Sequence, residues 1–176
     1  MGDVTLHIAL IGPRRAGKST VGPRLANRMG LPSRDVDDAI VSRCGGPLGP
    51  WIAKNGWAAF RDMERDVLAA MIAGPRSVIS TGGGVVLHRG LHAAMRAACR
   101  IIYLRAHPDV LAVRAKCDPA PGDRPALVDA SPSVDAHIVF ADRDAAYREL
   151  CHEIVDADDE LDRVVERAFA VSMQRR

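Results

Sequence analysis

Apolar residues in this chain come in two rhythms: short β-branched runs closed by glycine or proline, and longer stretches where they recur at helical spacing. The run at 5–11 stops at Gly12 and Pro13, which predicts a buried strand feeding a turn. A helix is expected over Lys18–Met29. Pro23 suits it only within or near the first turn, because a helical proline loses an amide donor and crowds the carbonyl four residues back. An extended piece at 33–35 leads to helical patterns at 37–44 and 57–72, parted by Gly45, Gly46, Pro47, Gly49 and Pro50, so this block reads as a helical insertion. Two more strands are predicted, at 77–81 running into Gly82, Gly83 and Gly84, and at 100–104, with a helical stretch between them. The segment CDPAPGDRPALVD at 117–129 is too rich in Pro, Gly and Asp for a regular element; a mobile lid over about 115–130 is expected, a plain surface loop being the alternative. Ser131 and Pro132 supply an N-cap and first-turn proline for a helix reaching about Leu150, and 152–155 can form a last strand. A final helix starting near Asp158 presents Leu161, Val164, Val165, Ala168 and Phe169 on one face.

Strands alternating with helices mean a parallel sheet, so the expected fold class is α/β: three layers around a central parallel sheet of about five strands, with ligands at the strands' carboxyl ends. The 176 residues, 48% of them hydrophobic, suit a single domain spanning 1–176. Aromatic residues make up only 4%, which leaves no platform for stacked bases, and a net charge of +2 with scattered arginines gives nucleic-acid binding little support. Cys44, Cys99, Cys117 and Cys151 lie far apart without a CxxC pair, which suggests neither a zinc site nor a redox motif. With no apolar run near the ~20 residues that span a bilayer, and no signal-like start, a cytoplasmic protein without membrane contact is expected.

The chemistry begins at Gly12-Pro-Arg14-Arg15-Ala16-Gly17-Lys18-Ser19-Thr20, a full match to G-x-x-x-x-G-K-[ST] placed after a strand and before a helix. Its glycines let backbone amides and the helix N-terminus face phosphate oxygens, while Lys18 can reach the β/γ-phosphates and Ser19 can ligate Mg²⁺. Lysine is otherwise found only at 54 and 116, so its presence here is informative. Residues 12 and 14–20 are therefore assigned to ATP. Asp35 and Asp37, two apart after the second strand, would project to one side of an extended backbone, one toward a metal and the other toward a substrate hydroxyl. Helix capping is the competing reading.

GPRRAGKST, RDVDDAI, GWAAFRDME, TGGG, DRPAL and RDAAYRE follow one another in an order and spacing that resemble the shikimate kinase family from the phosphate loop through nearly the whole chain. The resemblance implies a P-loop kinase fold and phosphorylation of the 3-hydroxyl of shikimate by ATP with Mg²⁺, giving shikimate 3-phosphate and ADP. By the same resemblance Asp35 holds Mg²⁺ with Ser19, and Asp37 binds the attacking hydroxyl. Arg61 and Arg143 grip the substrate carboxylate, with Gly83 and Gly84 adding backbone amides and Glu64 orienting Arg61. Arg124, in the lid's Arg-Pro, acts with Lys18 on the transferring phosphoryl group and contacts ATP. The segment about 36–62 becomes the substrate-binding part, and a monomer is expected. Physics agrees on the clamp, since arginine's planar fork suits a carboxylate, although Arg61 and Glu64 at (i, i+3) also read as a surface ion pair.

Three positions depart from the family pattern: Val41 and Trp57 stand where glutamates are usual, and Cys117 lies where an adenine-stacking arginine is expected, with Arg114 as its possible substitute. Rival readings are a same-lineage kinase for quinate, an aminoshikimate or a sugar acid; a nucleoside monophosphate kinase, for which no base-binding cluster is evident; and a nucleotide-binding regulatory module, which would need no carboxylate clamp.

Overall fold

The computed structural model describes residues 6–117 and 132–174. Five strands, β1 (His7–Ile11), β2 (Ser33–Asp35), β3 (Val78–Ser80), β4 (Cys99–Arg105) and β5 (Glu153–Asp156), form one sheet. Every neighbouring pair is parallel, in the order β2-β3-β1-β4-β5. Parallel neighbours need crossovers, and the helices supply them: α1 (Lys18–Met29), α2 (Val36–Cys44), α3 (Leu48–Ile72), α4 (His92–Ala98), α5 (Pro108–Lys116), α6 (Pro132–Leu150) and the trailing α7 (Leu161–Ser172).

The two-residue period of the strands divides the core. Ile8 and Leu10 of β1 cluster with Val21 and Leu25 of α1, Leu111 of α5 and Val164 and Ala168 of α7. Ala9 and Ile11 join Val36 and Ile40 of α2, Phe60 and Leu68 of α3, Met95 of α4 and Tyr147 of α6 on the other face. β1 is covered on both faces, which is why all five of its residues are buried. Gly22 lets α1 sit close to the sheet, for a Cβ there would stand 2.4 Å from Ser80 Oγ.

The differences from the expected elements have local causes. α3 begins at Leu48, not at 57, because Gly49 and Pro50 occupy its first turn, where a missing amide costs no helical hydrogen bond. Gly56, at φ 85° and ψ 161°, then breaks it into two helical pieces. Pro23 lies beyond the first turn of α1 and leaves the carbonyl of Ser19 without its helical amide. α5 has no counterpart among the elements expected from the sequence; Pro108 opens it, and the ring of His107 accepts the Asp109 amide as its cap. α7 starts at Leu161, because Asp158 serves the preceding loop, where its carboxylate accepts the His107 amide at 2.8 Å. The expected lid falls almost wholly on 118–131, outside the described residues, as does Arg124.

Candidate active site

The carboxyl end of β1 turns into the phosphate loop through left-handed backbone at Gly12 (φ 143°), Arg15 (φ 65°) and Gly17 (φ 94°). Gly12 is also fixed by space, since a Cβ would lie 2.5 Å from the Leu104 carbonyl oxygen. Arg15 carries the left-handed cost of a side chain, on the order of 1 kcal/mol, and its carbonyl is held by Arg114 Nη1 at 3.2 Å. Arg114 also donates to the Ala157 carbonyl at 2.7 Å, so α5 ties the loop to the exit of β5. The Lys18 ammonium is nearly buried at the loop's inner rim, donating to the carbonyls of Gly12 at 2.8 Å and Pro13 at 2.7 Å. Residues 14–21 line a cleft of about 650 Å³ together with Asp37, Asp38, Val41, Gly83 and Arg114. The positive end of α1 opens into it.

Beside the loop, Asp35 caps a helix and meets the phosphate-loop serine at once. Its Oδ1 caps α2 by accepting the Asp37 amide at 2.8 Å, and its Oδ2 accepts from Ser19 Oγ at 2.6 Å. Burial raises its pKa and the neighbouring Asp37 and Asp38 add to that, against the Ser19 hydroxyl and the Asp37 amide. Asp37 is not on extended backbone, as its spacing from Asp35 suggested, but sits in the first turn of α2. It reaches the cleft because the helix begins there.

A small pocket adjoins this cleft, lined by Arg14, Trp57, Phe60, Arg61, Gly84 and Arg143 among others. Arg61 Nη1 donates to Glu64 Oε2 at 2.6 Å, and the guanidinium lies 5.4 Å from the Trp57 ring centre and 5.3 Å from that of Phe60. Glu64 is only 2% exposed, so the pair is no surface ion pair. Burial alone would push its carboxyl up, but His88 and Arg61 together hold it below the ordinary glutamate range. The glycines after β3 make this possible. A Cβ at Gly82 would meet Glu64 Oε1 at 2.0 Å, and one at Gly84 would meet Arg61 Nη1 at 1.9 Å. None of the three has positive φ, so the turn needs their lack of bulk rather than their conformational freedom.

Arg143, from α6, reaches the same turn, but it does so through the Gly83 carbonyl, which accepts from its Nη1 at 3.1 Å and from the Tyr147 hydroxyl. α6 is docked by side chains to which the sequence reading gave no role. Tyr147 stacks on Tyr103 at 5.0 Å, and Asp144 accepts from the Tyr103 hydroxyl at 2.8 Å, from Arg105 and from Arg148. Burial pushes both tyrosines well above their ordinary range, so they stay neutral and act as donors. His88 was missed as well; its contact with Glu64 spans 24 residues and left no local signal.

Comparison with known proteins identifies the family. A family model described as shikimate kinase matches residues 14–172. A shikimate kinase of Oleidesulfovibrio alaskensis is 41% identical over 151 residues, covering 86% of this chain and 88% of the relative. A shikimate kinase 2 of an Enterobacter species is 38% identical, covering 92% of each chain. Among solved structures, a shikimate kinase from Acinetobacter baumannii in complex with shikimate superposes with a TM-score of 0.83 at 27% identity, covering 95% of this chain and 91% of that one. A gluconokinase from Sinorhizobium meliloti, at 17% identity and a TM-score of 0.54, shares the fold alone. The chain is a kinase and belongs to the shikimate kinase family.

Proposed function

We propose that the chain transfers the γ-phosphoryl group of ATP to the 3-hydroxyl of shikimate, giving shikimate 3-phosphate and ADP. The observation that carries this reading is a pocket with two arginines, Arg61 and Arg143, beside the phosphate loop and Asp37. Two guanidinium groups on separate helices suit the two oxygens of one carboxylate, and the aromatic walls suit a carbocyclic ring. The Acinetobacter baumannii enzyme, solved in complex with shikimate, supports the same substrate.

In this reading the phosphate loop, residues 12 and 14–20, cradles the ATP phosphates, with Lys18 beside the β- and γ-oxygens. Asp37 accepts the proton of the 3-hydroxyl as its oxygen bonds to the γ-phosphorus and the bond to the bridging oxygen of ADP breaks. Arg61 and Arg143 hold the carboxylate and so aim the hydroxyl, while the turn at Gly83 and Gly84 forms the pocket floor. Arg124 keeps the role that the resemblance implies, a cation beside the transferring group. Most of the rate comes from positioning and charge neutralisation. Ser19 and Asp35 are a pair of hard oxygen donors, which suits Mg²⁺, an ion that keeps water and phosphate as ligands. When bound, Mg²⁺ would neutralise charge on the β- and γ-phosphates.

Four free cysteines in an ATP-consuming enzyme suit the reducing cytoplasm. The test is ATP-dependent ADP release by the purified protein with shikimate, quinate, gluconate and nucleoside monophosphates offered separately. Shikimate should give the highest kcat/KM; no shikimate-dependent release would end the proposal.

A further inference from the structure

His88 lies just past the glycine turn, between the two short 3-10 helices that follow β3, and its ring is buried. Its Nε2 is 2.9 Å from Glu64 Oε2, the same oxygen that accepts from Arg61 Nη1 at 2.6 Å. An ionised carboxylate has no hydrogen to give, so the hydrogen of this contact must belong to Nε2. The three side chains form a chain of contacts, His88 to Glu64 to Arg61, running from the turn after β3 to the arginine in the pocket wall.

We propose that His88 is a positioning residue for the acid-binding arginine. Its Nε2–H fixes the carboxylate of Glu64, and Glu64 in turn fixes the guanidinium of Arg61 at the place where the substrate carboxylate arrives. This rests on the reading of Arg61 as half of the carboxylate clamp. What decides the arginine's position is how many donors a buried carboxylate needs. With His88 present, Glu64 engages only one Arg61 nitrogen, leaving the rest of the fork for substrate. Glu64 Oε1 is buried without a protein hydrogen-bond partner among the described residues, so Oε2 carries both contacts; without His88 only the Arg61 contact would be left, and the cheapest remedy is for Arg61 to turn further toward the carboxylate, away from the pocket. A Cβ at Gly84 would stand 1.9 Å from Arg61 Nη1, so the guanidinium lies directly against that glycine and its position depends on what pulls it.

The expected signature is a split between kinetic constants. His88→Leu should raise KM for shikimate about tenfold, with kcat within about twofold and KM for ATP unchanged, because the reacting groups are untouched. His88→Gln, whose amide N–H reaches about as far as Nε2, should restore KM for shikimate to within about threefold. A merely structural histidine would instead lower thermal stability in both variants and leave the shikimate KM alone. If KM for shikimate stays at the wild-type value in His88→Leu while Arg61→Ala raises it, the positioning role is wrong and the clamp survives. If Arg61→Ala also leaves it unchanged, the clamp reading fails and takes this inference with it. Should the leucine variant not fold, ¹⁵N spectra of the wild-type imidazole decide the matter: a hydrogen on Nε2 supports the contact, and a bare Nε2 overturns it.

Discussion

Gly84→Ala isolates the clamp from the rest of the enzyme. The added Cβ would stand 1.9 Å from Arg61 Nη1, 2.6 Å from its Cζ and 3.0 Å from Glu64 Oε2, with no backbone atom among the obstacles. What must move is the end of a long side chain, so the cost to folding should be small for overpacking, about 1 kcal/mol. The cost to recognition should be larger. A guanidinium driven off its site loses a charge-assisted contact with substrate, on the order of 2–4 kcal/mol, or a fall in kcat/KM for shikimate of about 30- to 900-fold. KM for ATP should hardly change, because none of the atoms that a Gly84 Cβ would meet belongs to the phosphate loop. Gly90→Ala is the matched control: nothing lies within 4 Å of its Cβ, and it should behave as wild type. The assay is coupled ADP release with shikimate and ATP varied separately, alongside thermal melts. A Gly84→Ala enzyme within about threefold of wild type in kcat/KM, under ~0.7 kcal/mol, would refute the placement of Arg61 as the acid-binding group.

Other outcomes follow from the same geometry. Asp37→Asn should lower kcat at least about a hundredfold with little change in nucleotide affinity, measured by single-turnover transfer and ADP titration, because the amide keeps the shape but cannot take the proton. Arg143→Ala should cost about 2–4 kcal/mol in kcat/KM for shikimate, and Arg143→Lys should recover only part of it, since an ammonium restores charge without the fork. Glu64 titrates below its ordinary range in the folded chain, so its ionised form contributes stability above the unfolded value, about 4.3, and that contribution is lost as pH falls through the lower folded one. Urea unfolding should therefore show wild type more stable than Glu64→Gln at pH 7 and the gap closing below about pH 4; a gap independent of pH would count against the ionised pair.

The phosphate loop was legible because all its chemistry sits in nine consecutive residues flanked by a strand and a helix. β1, β3 and β4 were legible because strands covered on both faces select apolar runs, and the ends of α1 and of the polar edge strand β2 were read to the residue. α3 was half hidden, since Gly49 and Pro50 look the same in a loop as in a first helical turn. Glycines 82–84 were read as a turn, and the reason for Gly82 and Gly84 emerged only when Glu64 and Arg61 were found in the space a Cβ would fill. His88 and Tyr103 escaped notice because each acts through a partner 24 or more residues away, a spacing that no local pattern encodes.

The phosphate loop, for all its self-contained spelling, is not portable. Gly12 rests against the Leu104 carbonyl at the far end of β4, and Arg15's carbonyl hangs from Arg114. Both supports come from about ninety residues downstream. A graft of residues 12–20 into a foreign scaffold would carry the lettering without the floor and the strut that give it shape, and its left-handed arginine would relax to ordinary backbone. The transferable unit is therefore the loop together with the end of β4 and the last turns of α5, three pieces joined in space and scattered along the chain.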